Sequence, residues 1–216
     1  MLVAIPDLWL SIEPRQLKHT QLQNFFALIL IIMSSQFHIN ENQSNFSSQG
    51  KVKVTDFPKR CEKSMLHKAK ASGNYLYSML ALKDALNSGF DEALILDVDN
   101  NVNEGSGENF FMVKDDVLFT PRDHTVLNGI TRQTIIDISD DLDLKVFEKD
   151  ISVNDVKVAD EAFFTGTAAE VTPVVQVDQS KIGDGMTGKI TKKVQKEYFD
   201  LIRGKNTKYD HWLTRV

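Results

Sequence analysis

From Lys51 to Arg203 the chain alternates short strand-like runs with amphipathic helical stretches, and turn residues separate them. Lys51 to Thr55 alternates as a short strand. Asn74 to Asn87 carries Leu76, Met79, Leu80 and Leu86 at helical spacing, and Gly89 supplies a stop. Ala93 to Val98 reads as a strand running into the turn Asp99-Asn100-Asn101. Phe110 to Val113 and Val117 to Thr120 are two more strands around Lys114-Asp115-Asp116. Thr131 to Asp141 reads as a helix and Leu144 to Glu148 as a strand, and Ser152 with Asp155 forms a helix-starting box. Glu161 to Thr165 and Val171 to Val177 are strands around Gly166-Thr167-Ala168, and Lys189 to Arg203 is a helix closed by Gly204. Strand meanders followed by helix–strand units predict an α+β domain over residues 51–216.

Residues 1–50 read differently. Phe25 to Met33 (FFALILIIM) is an unbroken apolar run, shorter than the about 20 residues that a bilayer requires. With Arg15 and Lys18 before it and Ser34-Ser35 after it, the run has the outline of a signal-peptide core. Asp7 and Glu13 in the long preceding segment speak for the alternative, a buried strand or helix. Asn40 to Gly50 is small, polar and linker-like. The net charge is −5 and no stretch is strongly basic, which argues against a nucleic-acid partner. The single cysteine, Cys61, rules out an internal disulfide, fits a reducing cytoplasmic setting and reads as a bystander. Five scattered histidines give a zinc site no support.

Two segments could carry chemistry. In KASGNY (Lys70 to Tyr75), Ala71-Ser72-Gly73 would leave room for a flat ligand beside Lys70, and Tyr75 could direct its phenol into the same cavity. A lysine used for Schiff-base chemistry must be partly withdrawn from water, so that its amine can lose a proton. Otherwise Lys70 is a solvated lysine before a helix. In EGSGENFF (Glu104 to Phe111), glycines would allow backbone to lie against a ligand, and a buried carboxylate could pair with a protonated ring nitrogen. The alternative is two surface glutamates at a hairpin. Phe110 stands where a dinucleotide fingerprint needs its third glycine. Asp97, Asp99, Asn101, Asn103 and Glu108 mimic calcium-loop spacing, but Val102 occupies the turn-glycine position and strands flank the segment. Gly129-Ile130-Thr131 and Gly166-Thr167-Ala168 are turns whose N–H groups suit a phosphate or carboxylate.

KASGNYL, LDVDNNVNEGSGENFF, LNGITRQTI and EAFFTGTAAEVTPV occur in that order, and TKKVQKEYFDLIRG follows. From about Gly50 onward the chain resembles the branched-chain aminotransferase branch of the fold-type-IV pyridoxal-phosphate enzymes. D-amino-acid aminotransferases and aminodeoxychorismate lyases are relatives, and TGTAAEVTP is nearer the branched-chain group. The resemblance implies a large domain built as a strand meander or pseudo-barrel with flanking helices, binding pyridoxal 5'-phosphate over residues 51–216. Lys70 matches the Schiff-base lysine that also moves the substrate proton. Tyr75 matches the tyrosine bonded to the ring oxygen, and Glu104 the carboxylate partner of the ring nitrogen. Leu127 matches the residue packed on the ring face. Ile130, Thr131 and Thr167 match phosphate contacts, while Thr167 and Ala168 match the turn that receives the substrate carboxylate. Glu108 is expected to support the local backbone or a neighbouring chain.

The implied activity is amino transfer between a branched-chain L-amino acid and 2-oxoglutarate, in a homo-oligomer with no membrane partner; the alternatives are an inactive remnant domain, or a relative acting on D-amino acids or aminodeoxychorismate. The family also has a smaller N-terminal domain and a phosphate-holding arginine upstream of the lysine. Most of that region lacks a counterpart here: Val3 to Pro6 resembles it faintly and His19 to Gln49 not at all. Residues 1–50 are therefore expected to be a divergent remnant and linker, with impaired or absent turnover as a consequence.

Overall fold

The computed structural model describes residues 50–57, 68–124 and 126–214. The apolar run Phe25–Met33, the rest of the N-terminal segment before Gly50, and Cys61 lie outside them. The chain divides into two compact units, one of which is Ser47–Asp200. The described part of the other contains the short 3₁₀ turn Thr207–Trp212, which Asn206 caps by accepting the Lys208 N–H at 3.1 Å.

The larger unit is organised, among the described residues, around nine strands. These are β1 (Gly50–Val54), β2 (Glu92–Leu96), β3 (Val102–Glu104), β4 (Asn109–Lys114), β5 (Val117–Thr120), β6 (Val146–Glu148), β7 (Glu161–Gly166), β8 (Glu170–Val177) and β9 (Ser180–Lys181). Among the described residues four α-helices accompany them: α1 (Tyr75–Asn87), α2 (Ile130–Ser139), α3 (Val153–Lys157) and α4 (Lys189–Ile202). The strand order is β3-β2-β1-β8-β7-β4-β5-β6, and β3 also pairs with β4. That extra pairing closes β3-β2-β1-β8-β7-β4 into a six-stranded barrel. β4 shares one edge between two partners: Asn109 faces Glu104 of β3, while Met112 to Lys114 face β5. β1 is parallel to both its neighbours, β2 and β8, so the sheet is mixed rather than a simple meander.

Alternation along the strands fills both sides of this sheet. Phe110 and Met112 of β4 join Val52, Leu94, Val102, Ala162, Phe164 and Val174 in one buried cluster. Phe111, between Phe110 and Met112, stacks on Phe163 at 5.1 Å on the opposite face. β4 is therefore nearly continuous in apolar residues because neither of its faces meets water. Ser152 caps α3 as expected: its side chain accepts the Asp155 N–H and Asp155 answers the Ser152 N–H.

The helix α1 departs from the sequence reading in the face it buries. Ser78, Ala81, Leu82 and Ala85 are buried, whereas Leu76, Met79, Leu80 and Leu86 are exposed. Ala81 and Ala85 cluster with Ala93 and Ile95 of β2, and these small side chains let the helix lie close to the sheet. The turn Asp97–Asn101 is closed by Asp97, whose Oδ1 accepts the N–H groups of Asp99 at 2.9 Å and Asn101 at 2.8 Å. Asn100 adopts φ 68°, a left-handed conformation that asparagine tolerates.

Candidate active site

The centre of the site is a row of three polar residues across three strands. Glu104 pairs with Asn109, and Asn109 pairs with Thr165. Residues directly opposite in a sheet project to the same face, so these side chains lie side by side. All three are buried, and Glu104 is only 5% exposed. Glu104 Oε2 accepts the Leu127 N–H at 3.3 Å, and Asn109 Nδ2 donates to the Leu127 carbonyl at 2.8 Å. Both backbone polar groups of Leu127 are thus fixed by the row. Thr165 Oγ1 is buried without a hydrogen-bond partner among the described residues.

Gly129 ends the loop that Leu127 opens. Its φ of −69° suits any residue, but a Cβ there would collide with the Asn109 side chain. The requirement for glycine is therefore steric. Gly129→Ala is expected to lose about 1–3 kcal/mol by overpacking, measured by urea unfolding; an unchanged midpoint would show that Asn109 yields freely.

α2 starts immediately after Gly129. Ile130 is exposed at its first turn, whereas Thr131 is buried, with its hydroxyl acting on the Tyr198 phenol. Burial pushes the Tyr198 phenol up, the charge of Glu170 adds to this, and the Thr131 hydroxyl opposes it. Arg132, also buried, is committed elsewhere: Nη2 reaches the Pro121 carbonyl and the Glu148 carboxylate, each at 2.9 Å. Thr167 and Ala168 form the exposed turn between β7 and β8. A Cβ on Gly166, just before them, would lie 3.6 Å from Glu108 Cγ. The β7–β8 turn therefore abuts the β3–β4 turn.

KASGNY lies beside these loops. Lys68 pairs with Asp123 at 3.5 Å, and Asn74 Nδ2 donates to the Ala69 carbonyl at 2.9 Å, closing a turn around Lys70. The Lys70 charge acts on Glu108. Lys70 and Ala71 to Gly73 are exposed, so the described residues do not supply the withdrawal from water expected at Lys70. Tyr75 is half-buried at the start of α1. Among the described residues neither Lys70 nor Tyr75 hydrogen-bonds to Glu104.

A further carboxylate, missed in the sequence reading, completes the neighbourhood. Glu92 Oε1 accepts the N–H groups of Ala93 at 2.7 Å and Ser106 at 3.2 Å. Glu108 Oε2 accepts the next amide, Gly107, at 3.0 Å. Burial pushes Glu92 up to about 8, with the Glu108 charge adding and the two amides opposing. Burial also raises Glu108, against the Gly107 N–H and the Lys70 charge. The one signal for Glu92 in the sequence is an acid at the head of the otherwise apolar strand EALIL.

Comparison with known proteins decides the family. The family described as Amino-transferase class IV matches residues 10–177.

This chain belongs to the class IV aminotransferase family.

A curated class IV relative, the branched-chain-amino-acid aminotransferase of Pseudomonas aeruginosa, is 48% identical over 166 residues, 77% of this chain and 54% of that protein. Among solved structures, the branched-chain aminotransferase of Thermoproteus uzoniensis with norvaline superposes with a TM-score of 0.75 at 39% identity, covering 79% of this chain and 58% of the other. The branched-chain amino acid aminotransferase of Thermobaculum terrenum in its PLP form gives 0.75 at 33% identity, covering 77% and 55%. The class IV chain described here therefore spans little more than half the length of these relatives. Its closed barrel with flanking helices is the large-domain fold of the type-IV aminotransferases.

Proposed function

We propose that this chain is the cofactor-carrying domain of a branched-chain aminotransferase, moving an amino group between a branched-chain L-amino acid and 2-oxoglutarate. The observation that carries the reading is the meeting of four loops at one end of the barrel, namely those of Lys70, Glu104–Glu108, Leu127–Thr131 and Gly166–Ala168. The donor set suits pyridoxal 5'-phosphate. One buried carboxylate, Glu104, matches the chemistry that a protonated ring nitrogen needs, and two N–H-bearing turns match that of a phosphate and a substrate carboxylate. Thr165 Oγ1 adds a buried hydroxyl with bonding capacity to spare.

Pyridoxal phosphate, when bound, supplies the electron sink that lets an amino acid lose its α-proton. Lys70 would hold it covalently and carry that proton to and from the substrate. Tyr75 would bond the ring oxygen, Leu127 would cover one ring face, and Glu104 would keep the ring nitrogen charged. Ile130, Thr131 and Thr167 would hold the phosphate, and Thr167 with Ala168 the substrate carboxylate. We further propose a cytoplasmic homo-oligomer. No helix among the described residues is long and apolar enough to cross a membrane.

The test is to incubate the chain with pyridoxal phosphate, reduce with borohydride and map the modified peptide. Label on Lys70 is expected; label on another lysine, or none, would remove the reading. A second reading is a binding domain without turnover, favoured by the exposure of Lys70 and the commitment of Arg132 to Glu148. The two separate in an assay of leucine with 2-oxoglutarate at saturating cofactor. Turnover far below that of an intact branched-chain aminotransferase is expected, and comparable turnover would exclude the second reading.

A further inference from the structure

We infer that Asn109 is a positioning residue: its side-chain amide sets where α2 begins relative to the Glu104 carboxylate. Asn109 heads β4 and faces Glu104 of β3 on one side and Thr165 of β7 on the other, so its backbone is fixed from both sides. Its side chain is buried, and both ends of the amide meet one loop. Nδ2 donates to the Leu127 carbonyl at 2.8 Å, and Oδ1 lies where it would collide with a Cβ on Gly129. The Leu127 carbonyl also accepts the Gly129 N–H at 2.8 Å. That bond spans two residues and folds the chain into a tight turn at the point that Asn109 holds.

The loop over residues 121–129 is held at both ends by different groups. Its first half is tied to Arg132, Asp150 and Glu148: Arg132 Nη2 reaches the Pro121 carbonyl at 2.9 Å, Arg122 Nε donates to Asp150 at 3.0 Å and the Asp123 N–H to Glu148 at 3.1 Å. Its second half enters α2 and is tied to the polar row, by Asn109 and by Glu104, whose Oε2 accepts the Leu127 N–H at 3.3 Å. The Asn109 bond, at 2.8 Å, is the better of these two. Gly129 caps α2 without a side chain to bond the N–H groups of the first turn, so their position follows from where Gly129 is placed. Asn109 therefore fixes the spacing between a buried carboxylate and a set of helix N–H groups. In the proposed function that is the spacing between the partner of the ring nitrogen and the phosphate contacts of Ile130 and Thr131; this consequence rests on that reading, whereas the hold on the loop does not.

Asn109→Leu separates the bond from the shape. Leucine keeps a side chain branched at Cγ against Gly129 but has nothing to donate to Leu127. Two ligands then separate positioning from stability. Pyridoxal can use the ring contacts but has no phosphate to place on α2, whereas pyridoxal 5'-phosphate uses both. A variant that is merely less folded weakens both ligands by the same factor, the fraction of competent protein. Only a displaced α2 start changes the ratio of the two affinities.

The first measurement is amide-resolved hydrogen exchange on the full chain without cofactor. In Asn109→Leu the Leu127 and Gly129 amides are expected to exchange about fivefold faster, the scale of one lost hydrogen bond, while Phe163 and Phe164 of β7 keep their rates. Unchanged rates at Leu127 and Gly129, or the same acceleration along β7, would overturn the inference. The second measurement is titration with pyridoxal 5'-phosphate and with pyridoxal, followed by absorbance. The preference for the phosphorylated ligand is expected to fall about fivefold in Asn109→Leu and to stay the same in Glu161→Ala, altered at the far end of β7. An unchanged preference in Asn109→Leu would also overturn the inference. If the unaltered chain binds both ligands equally, the functional reading is removed and hydrogen exchange alone decides this one. Should Asn109→Leu fail to fold, the unaltered chain still carries a test. The Asn109 side-chain amide protons are expected to outlast those of the exposed Asn128 in D₂O by about tenfold, and equal lifetimes would refute the hold on Leu127.

Discussion

Lys70→Ala is expected to abolish borohydride-stable attachment of pyridoxal phosphate and to lower any transamination by on the order of 10²–10⁴-fold, through loss of the proton carrier alone. Two described lysines, nearest in sequence or on β1, are already paired. Lys68 is held by Asp123 at 3.5 Å, and Lys53 by Asp84 at 2.6 Å. Adding a small primary amine to the variant should restore part of the proton transfer. The decisive measurement is the ratio of rates with and without added amine. Undiminished activity in Lys70→Ala would mean that the proton travels through a different group.

The second large effect concerns stability. α4 begins after Gly188, which has no side chain to cap it, and a Cβ there would collide with the Glu161 carboxylate. Glu161 caps the helix from β7 instead. Its two oxygens accept the Ile190 N–H at 3.0 Å, the Thr191 N–H at 2.6 Å and the Thr191 hydroxyl at 2.7 Å, all buried. A negative charge at a helix N-terminus also meets the positive end of the helix dipole. Glu161→Ala strands three buried donors, and water that enters will satisfy some of them. The expected net loss is roughly 3 kcal/mol, a fall in Tm of about 6–12 °C for a chain of this size. Glu161→Gln, which keeps one acceptor, should lose about half as much. Calorimetry of the two variants checks both the size and the order. A Tm unchanged in Glu161→Ala would mean that solvent caps α4 equally well.

What the sequence disclosed depended on how local the cause was. The Ser152–Asp155 box and the Gly204 stop are decided within a few residues, and both are present in the fold. Periodicity located α1 but misled about its buried face, because Leu76 and Met79 are more apolar than the alanines that meet β2. β3 is only three residues long and has no periodicity to detect. Closure of the barrel depends on the register of Glu104 with Asn109, a property of the whole sheet. At the site, the candidate residues were legible as motifs. Glu92 and Glu161 were not, since the contacts that tie them to the β3–β4 turn and to α4 span 14 and 29 residues and no local pattern announces them.

The placement of β1 bears on how the chain emerges from a ribosome. β1 sits between two parallel partners, and β8 reaches it late: the Val54 N–H bonds to Asp178, 124 residues further along. At a synthesis rate of about 5–20 residues per second, one side of β1 waits roughly 6–25 s for β8 to be made. During that interval the nascent chain offers an open strand edge, the kind of surface that recruits neighbouring polypeptides. Lys51 and Lys53 alternate along β1 and put positive charge on the waiting strand. Replacing both with apolar residues would leave most of the finished barrel's contacts intact while making nascent chains on one message prone to pair with each other.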